Sequence, residues 1–151
     1  MKIYIGADHN GFEMKRTLIE ELVRAGHSVV DEGSETLQPE DDFPDIAAKV
    51  ATSLKAANDG DTEASYGILI CGSGQGVCMG ANRFKGIRAS LVTGMVEARA
   101  VRNDDDANVL CLPARYMSTA DAVEITKTWL ATPFSEAPRF KRRIKELDQL
   151  G

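Results

Sequence analysis

The sequence predicts an α/β protein with a Rossmann-like, three-layer α/β/α fold, built on a parallel sheet of about five strands and an appended C-terminal helix. Short apolar segments of strand length alternate with longer segments of helical periodicity along the chain. The apolar segments are nearly continuous, which is typical of strands that are buried on both faces. The length of 151 residues suits one hydrophobic core, so 1–151 is predicted to form a single domain.

The predicted elements alternate regularly from the first residues onward. The strands are Lys2–Ala7, His27–Asp31, Tyr66–Cys71, Ile87–Leu91 and Asn108–Leu112. The helices are Phe12–Ala25, Phe43–Ala57, Val77–Asn82, Met95–Arg102, Thr119–Leu130 and Arg139–Leu150. Gly26 favours the end of the first helix, and Pro44 favours the first turn of the second. The polar segments Gly33–Asp42 and Asn58–Ala64 are predicted to be loops.

Composition excludes several classes of function. The net charge of −5 argues against a nucleic-acid partner, because proteins that bind phosphate backbones carry a basic face. No apolar run approaches the roughly 20 residues that cross a bilayer, and the first residues lack the pattern of a signal peptide. Three cysteines without framework spacing are typical of reduced thiols, which predicts a cytoplasmic protein. With only two histidines besides, the sequence predicts no metal site.

Polar residues follow the carboxyl ends of four predicted strands. Asp8 and His9 follow the first strand, CGSGQG at 71–76 follows the third, Thr-Gly at 93–94 the fourth, and Pro-Ala-Arg at 113–115 the fifth. In open parallel sheets, ligands bind beyond the carboxyl ends of the strands. We therefore expect these segments to converge on one crevice.

The segment CGSGQG is the most informative of the four. Gly72, Gly74 and Gly76 alternate, which does not fit the G-x-G-x-x-G dinucleotide fingerprint, and the Lys-Ser/Thr of a phosphate-binding P-loop is absent. A glycine loop can instead turn its N–H groups toward an oxyanion. A thiolate at Cys71 beside such a loop permits nucleophilic attack or proton abstraction next to a carbonyl. Because His9 is available as a partner, spacing alone leaves both chemistries open.

Each of these residue types also has a purely structural interpretation. Cysteines are among the most buried residues, and we expect Cys78 and Cys111 to belong to the core. An aspartate in the position of Asp8 would cap a turn. Arg139 and Arg143 are four residues apart and would form a solvated stripe on one helix face.

Three stretches of the chain resemble ribose-5-phosphate isomerases of type B, a family that includes the subunits of galactose-6-phosphate isomerase. The stretches are GADHNGF, ILICGSGQGVCMGANRFKGIRA and NDDDANVLCLPAR, and they keep the family's order and spacing nearly end to end. The resemblance implies an aldose–ketose isomerase that acts on a sugar phosphate through a cis-enediolate, without a metal or organic cofactor. It also implies a homodimer or homotetramer whose active sites are shared between subunits. The implied reaction belongs to the pentose phosphate pathway.

The family's residue roles transfer by position. Cys71 would abstract the proton from carbon 2, and the amides of Gly72, Gly74 and Gly76 would hold the enediolate. Ser73 would move protons between the two sugar oxygens. The remaining residues implied to contact substrate are Asp8 at the sugar hydroxyls, His9, Arg115, Arg139 and Arg143 at the phosphate, and Asn82, which falls in the family's Ala-Ala-Asn stretch.

Two positions depart from the family. Asp104 stands where many members have the histidine that helps to open the furanose ring, and on composition alone it would lie at a polar loop tip. Phe140 stands where many members have a histidine beside the phosphate. A carboxylate takes up a proton more readily than it gives one at neutral pH, so Asp104 would be a weakened or reassigned catalytic residue.

Several functions therefore stay open at this point. The enzyme would convert ribose 5-phosphate to ribulose 5-phosphate, with Asp104 or a water opening the ring, or would prefer a tetrose 4-phosphate, which cannot close a furanose. A hexose 6-phosphate is a further candidate substrate. Outside this class, the same loop would suit a cysteine-nucleophile hydrolase or a non-catalytic sensor of sugar phosphates or nucleotides.

Overall fold

The computed structural model describes residues 1–60 and 63–150 and confirms the predicted fold class. The strands are β1 (Lys2–Ala7), β2 (Ser28–Asp31), β3 (Ser65–Cys71), β4 (Ala89–Leu91) and β5 (Val109–Pro113). The helices are α1 (Phe12–Arg24), α2 (Phe43–Gly60), α3 (Gln75–Ala81), α4 (Met95–Asp105), α5 (Thr119–Ala131) and α6 (Pro138–Leu147). Within these ranges, no helix is both long enough and apolar enough to cross a membrane.

Two helices run three residues further than the sequence predicts. α2 continues to Gly60, so the loop predicted over Asn58–Ala64 is wrong for its first residues, while 61 and 62 lie outside the described residues. α4 continues through Asp104 to Asp105, and Asp106 ends it in the left-handed conformation with φ 46°. The polar loop tip proposed for these aspartates is therefore the last turn of a helix, because polar residues on an exposed helix end look like a loop in sequence.

The strand order reverses between β1 and β3, which is where a ligand crevice is expected. All strands are parallel, in the order β2-β1-β3-β5-β4. From β1 the chain passes to β2 on one side and then to β3 on the other. Ligands bind in the crevice that such a reversal opens at the carboxyl ends of the strands. Here these ends are joined by a hydrogen bond of 3.1 Å from the Asp8 amide to the Ile70 carbonyl.

Strand alternation decides which face of the sheet each side chain meets. Ile68 and Ile70 pack with α1, α4 and α5 on one face, whereas Leu69 and Cys71 pack with α2 and α3 on the other. The carboxyl end of β3 therefore directs Cys71 toward α3, which begins four residues later. The position of the thiol follows from this alternation and needs no special local conformation.

Candidate active site

Asp8 lies at the carboxyl end of β1 and is buried, with 7% of its surface exposed. Its Oδ1 accepts hydrogen bonds from the amides of Asn10 at 2.9 Å and Gly11 at 3.3 Å. The carboxylate thus caps the turn into α1, as its structural interpretation predicts. The turn holds Asp8 in a fixed orientation beside the end of β3.

Cys71 ends β3 and has 5% of its surface exposed. The Gly74 amide donates a hydrogen bond to its Sγ at 3.1 Å. Gly74 takes φ 71°, in the left-handed region, and this bends the loop over the sulfur before α3 starts at Gln75. The sulfur therefore accepts a hydrogen bond from a backbone N–H of the glycine loop.

The other loop residues hold the turn together. The Ser73 hydroxyl accepts a hydrogen bond of 3.3 Å from the Gln75 amide. The Gly72 carbonyl accepts one of 2.9 Å from the Arg115 amide, and a Cβ on Gly72 would lie 2.9 Å from the Arg115 Nε. Gly76 lies in the first turn of α3. The loop after β5 therefore packs directly on the glycine loop and brings the Arg115 guanidinium to the same crevice.

A hydrogen-bonded chain joins the loops that follow β1, β2 and β5. The Arg115 guanidinium donates to Asn10 Oδ1 at 3.1 Å, and Asn10 Nδ2 lies 3.0 Å from His9 Nε2. On the other side of the ring, His9 Nδ1 lies 2.9 Å from Asp41 Oδ1, which also accepts from the His9 amide at 2.9 Å. An Asn10 amide that donates to Nε2 leaves the proton on Nδ1, where it is donated to Asp41. His9 is thus oriented by partners on both ring nitrogens.

Asn10 and Asp41 were missed by sequence reasoning. Asn10 could have been predicted, because it directly follows His9 in the segment GADHNGF. Asp41 gives no such signal, because it lies 32 residues from His9 in a loop rich in carboxylates. Only the fold selects this one carboxylate.

Asn82, which is predicted to bind substrate, bonds to the edge of β4 within its own chain. Its side chain accepts from the Ala89 amide at 2.8 Å and donates to the Ala89 carbonyl at 2.9 Å. Since β4 pairs with β5 through its even-numbered residues, Ala89 faces the free edge of the sheet. Asn82 thus replaces a missing neighbouring strand, and this protects the edge.

Asp104, Arg139 and Arg143 also lie away from Cys71 within one chain. Asp104 is in the last turn of α4, next to Arg102, whose guanidinium reaches the Tyr66 hydroxyl at the amino end of β3. Tyr66 and Cys71 are five residues apart on this strand, a distance of about 16 Å.

The C-terminal helix also lies at the amino ends of the strands. The Ser135 amide, just before α6, donates to the Asn103 carbonyl at 3.1 Å, and Asp148, just after it, pairs with Arg88 at 3.7 Å. Arg139 and Arg143 lie over the Phe140 ring, at 4.6 and 6.0 Å from its centre. A single chain therefore keeps these two arginines apart from the crevice.

The segment at 93–94 does not contribute side chains to the crevice either. The Thr93 amide and hydroxyl donate to Glu97 Oε2 at 2.8 and 3.0 Å, which caps the start of α4. These hydrogen bonds lower the pKa of Glu97, and the hydrogen bond from the Thr93 amide lowers it most.

Among the described residues, no group of three or more histidine, cysteine or acidic side chains is arranged to hold a metal ion.

A thiol that accepts from a glycine-loop amide, and an arginine at the same end of a parallel sheet, suit an enzyme for small anionic substrates. Residues 3–147 match the Ribose/Galactose Isomerase family, and the chain belongs to this family. A probable ribose-5-phosphate isomerase B of Mycoplasma pneumoniae is 41% identical over 145 residues, which cover 96% of this chain and 91% of that protein. The ribose-5-phosphate isomerase B of Escherichia coli K12 is 34% identical, over 97% of this chain and 93% of its own length.

Solved structures agree with these relatives. Ribose-5-phosphate isomerase B of Mycoplasma genitalium, crystallised with bound ribulose 5-phosphate, superposes with a TM-score of 0.91 at 38% identity. The match covers 98% of this chain and 94% of that one. A ribose-5-phosphate isomerase of Thermotoga maritima gives a TM-score of 0.89 at 39% identity, over 99% and 98% of the two chains.

Proposed function

We propose that this protein is a ribose-5-phosphate isomerase that interconverts ribose 5-phosphate and ribulose 5-phosphate by proton transfer through a cis-enediolate. The observation that carries the proposal is the hydrogen bond from the Gly74 amide to Cys71 Sγ, at the crevice that also holds Asp8 and His9. The relative of known structure that binds ribulose 5-phosphate shares this fold over nearly its whole length. The reaction belongs in the pentose phosphate pathway, and we propose a cytoplasmic location.

The proposed chemistry uses one base in two steps. The Cys71 thiolate takes the proton from carbon 2 of the open-chain aldose, and the electron pair moves to the carbonyl oxygen to give the enediolate. Amides of the glycine loop stabilise that oxygen, and fixed donors of this kind contribute about 3 kcal/mol each. Ser73 moves a proton between the two oxygens. Cys71 then returns its proton to carbon 1, which leaves the ketose, while Asp8 orients the sugar hydroxyls.

The phosphate would lie beside the Arg115 guanidinium. His9 and Arg115 belong to one hydrogen-bonded chain there, and both would contact the phosphate. We propose that Arg139 and Arg143 complete this site from a second subunit. In their own chain they lie at the amino ends of the strands, whereas Cys71 lies at the carboxyl end. Guanidinium groups suit a phosphate dianion because they bind two oxygens at once. The proposed assembly is therefore a homodimer, or a tetramer made from two.

Ring opening would also involve the second subunit. Asp104 lies at the amino ends of the strands, as α6 does. A second subunit that supplies Arg139 and Arg143 would therefore also bring its Asp104 near the sugar. A tetrose 4-phosphate needs no ring opening and is the competing substrate. We expect kcat/KM to be higher for ribose 5-phosphate than for erythrose 4-phosphate. The opposite order, measured with both sugars under one set of conditions, would assign the enzyme to the tetrose.

Hydrogen exchange separates this function from its alternatives. Incubation with ribose 5-phosphate in heavy water is expected to place deuterium at carbon 1 of the ketose and carbon 2 of the aldose, because the base exchanges with solvent. A sensor would bind the sugar without incorporating label. A hydrolase would release inorganic phosphate or form a covalent thioester. Proton NMR of the sugar carbons detects the first outcome, and a phosphate assay detects the last.

Asp41 offers a test of the phosphate site. We expect Asp41→Ala to raise KM for ribose 5-phosphate about tenfold, because His9 loses the two hydrogen bonds that orient it. The change in kcat should be small, because the proposed contact of His9 is with the phosphate and not with the reacting carbons. Asp42→Ala removes the neighbouring exposed carboxylate and is the matched control. Steady-state kinetics decide the matter. An unchanged KM in the first variant, or equal effects in both, would contradict a positioning role for Asp41.

A further inference from the structure

The turn that follows α4 has an unusual backbone conformation. Asp106 has φ 46° and ψ 44°, in the left-handed region, where residues other than glycine are strained. Aspartate tolerates this region better than most residues, but the strain persists only where surrounding contacts enforce it. Strained residues of this kind are common at functional sites. The fold must therefore supply contacts that hold Asp106 in this turn.

Two guanidinium groups supply these contacts. Arg102 donates a hydrogen bond to Asp106 Oδ1 at 2.7 Å, and Arg88 donates one to Oδ2 at 3.0 Å. Arg88 also donates to the Asp106 carbonyl from Nε at 3.1 Å and from Nη2 at 3.0 Å. The Ala107 carbonyl accepts from Arg102 at 2.7 Å. Both carboxylate oxygens and the main chain of the turn are thus bound by charged donors, which form the stronger class of hydrogen bond.

Arg102 anchors this turn to the core. Its side chain is 5% exposed, and its guanidinium carbon lies 5.0 Å from the centre of the Tyr66 ring and 5.4 Å from that of Trp129. The Tyr66 hydroxyl accepts a hydrogen bond from Arg102 at 3.3 Å. Cations are attracted to the faces of aromatic rings, and a buried guanidinium also needs a carboxylate partner. The position of Asp106 is therefore fixed relative to the sheet.

The anchored turn carries Asp104, two residues before Asp106. The Asn103 side chain donates to Asp104 Oδ1 at 2.7 Å, and the Asn103 carbonyl accepts from the Ser135 amide at 3.1 Å. The Asp104 carboxylate therefore has a set orientation within the turn, and the turn has a set position in the chain. The whole network lies at the amino ends of the strands, away from Cys71 of its own chain.

We propose that Asp106 is a positioning residue for ring opening, which holds the last turn of α4 so that Asp104 meets the furanose in the crevice of a second subunit. This role rests on the proposed function. In ring opening, Asp104 takes the proton of the anomeric hydroxyl, whose electron pair forms the carbonyl. The bond from carbon 1 to the ring oxygen breaks, and that oxygen receives the proton back from Asp104 through water. Proton transfer of this kind depends on a carboxylate that is fixed beside the anomeric carbon.

Two reactions of the same enzyme separate ring opening from the later steps. Ribose 5-phosphate is a furanose and must be opened before Cys71 can act. Ribulose 5-phosphate has its carbonyl at carbon 2 and its 5-hydroxyl esterified, so it cannot close a furanose. Its carbon 1 therefore exchanges hydrogen with heavy water through Cys71, without help from Asp104. A loss that is confined to ribose 5-phosphate identifies ring opening as the affected step.

Three variants test the role by steady-state kinetics and by proton NMR of the ketose. Asp106→Gly keeps the left-handed turn and removes both carboxylate contacts. Turnover of ribose 5-phosphate should fall about tenfold, while exchange into ribulose 5-phosphate stays within about twofold of the unmodified protein. Asp106→Asn keeps the turn and an acceptor for Arg102, and should restore most of the turnover. Asp104→Ala should show the same selective loss, and adding Asp106→Gly to it should lower turnover no further, because both changes affect one step.

Asp148→Ala is the matched control. It removes the other carboxylate that pairs with Arg88, at 3.7 Å, and leaves the contacts of Asp106 in place. Both reactions should keep their rates in this variant, because the last turn of α4 is still held. Loss of ribose 5-phosphate turnover in the control would mean that Arg88 acts without Asp106, which contradicts the proposal.

Normal turnover in Asp106→Gly would overturn the positioning role. So would an equal loss in both reactions, which indicates a general structural effect, or an Asp106→Asn variant as impaired as Asp106→Gly. Full turnover in Asp104→Ala, or a further loss in the double variant, would show that the two residues do not act on one step. An unmodified protein that neither isomerises ribose 5-phosphate nor labels ribulose 5-phosphate would contradict the proposed function, and the positioning role with it.

Discussion

Replacement of Cys71 with serine is expected to lower kcat for ribose 5-phosphate about 1,000-fold, since a positioned general base contributes factors of this size. Serine is close to cysteine in size and can still accept the hydrogen bond from the Gly74 amide, now 3.1 Å from Sγ. Its hydroxyl, however, keeps its proton near neutral pH and is a poor base. Because the phosphate contacts are untouched, the affinity for inorganic phosphate should stay within about twofold of the unmodified protein.

Cys78→Ser provides the matched control, because it makes the same chemical change to a cysteine of α3 that packs on the same side of the sheet and lies outside the proposed chemistry. It should retain most of the turnover. Steady-state kinetics and isothermal titration with phosphate measure the two quantities. Turnover that survives in Cys71→Ser would remove this thiol from the proposed role, and a parallel loss in both variants would point to a structural effect.

The second large effect is expected for Gly74→Ala. At φ 71° an alanine is strained by about 1–2 kcal/mol. Its Cβ would also lie 3.0 Å from the carbonyl carbon of Leu112 and 2.5 Å from Leu91 Cδ1. The leucine side chain can move, but the backbone of β5 cannot move without disturbing the sheet. We expect a loss of about 3 kcal/mol in the free energy of unfolding, and a fall in kcat of about 100-fold, because the amide beside Cys71 is displaced.

Gly26→Ala separates the two causes. Gly26 has φ 87° and would meet no atom within 4 Å, so an alanine there has backbone strain without a clash. It should lose only about 1 kcal/mol of unfolding free energy and keep full activity. Urea denaturation and steady-state kinetics compare the variants. Equal destabilisation of both would mean that the contact with β5 adds nothing, and normal turnover in Gly74→Ala would contradict a role for this amide.

The buried cations show where sequence reasoning reaches its limit. Lys15 and Arg102 are almost completely buried, although charged residues usually lie at the surface. Lys15 pairs with Asp31 at 2.8 Å, and Arg102 pairs with Asp106 at 2.7 Å. Arg102 and Asp106 are four residues apart at the end of α4, a spacing that sequence reasoning can recognise. Asp31 lies 16 residues from Lys15, and no local pattern marks it as the partner that offsets the desolvation of the lysine. The same holds for Asp41, which is one carboxylate among several until the loops are brought together.

The sequence by itself determined the order of strands and helices, and with it the meeting of Asp8 and Cys71 at one edge of the sheet. Strand alternation and helical periodicity are local patterns, and parallel strands always bring their carboxyl ends together. Only the tertiary structure decided that Asp41 orients His9 and that Asn82 protects the edge of β4. These contacts join segments that are distant along the chain or are packed by the fold, and no local periodicity encodes which side chains then meet.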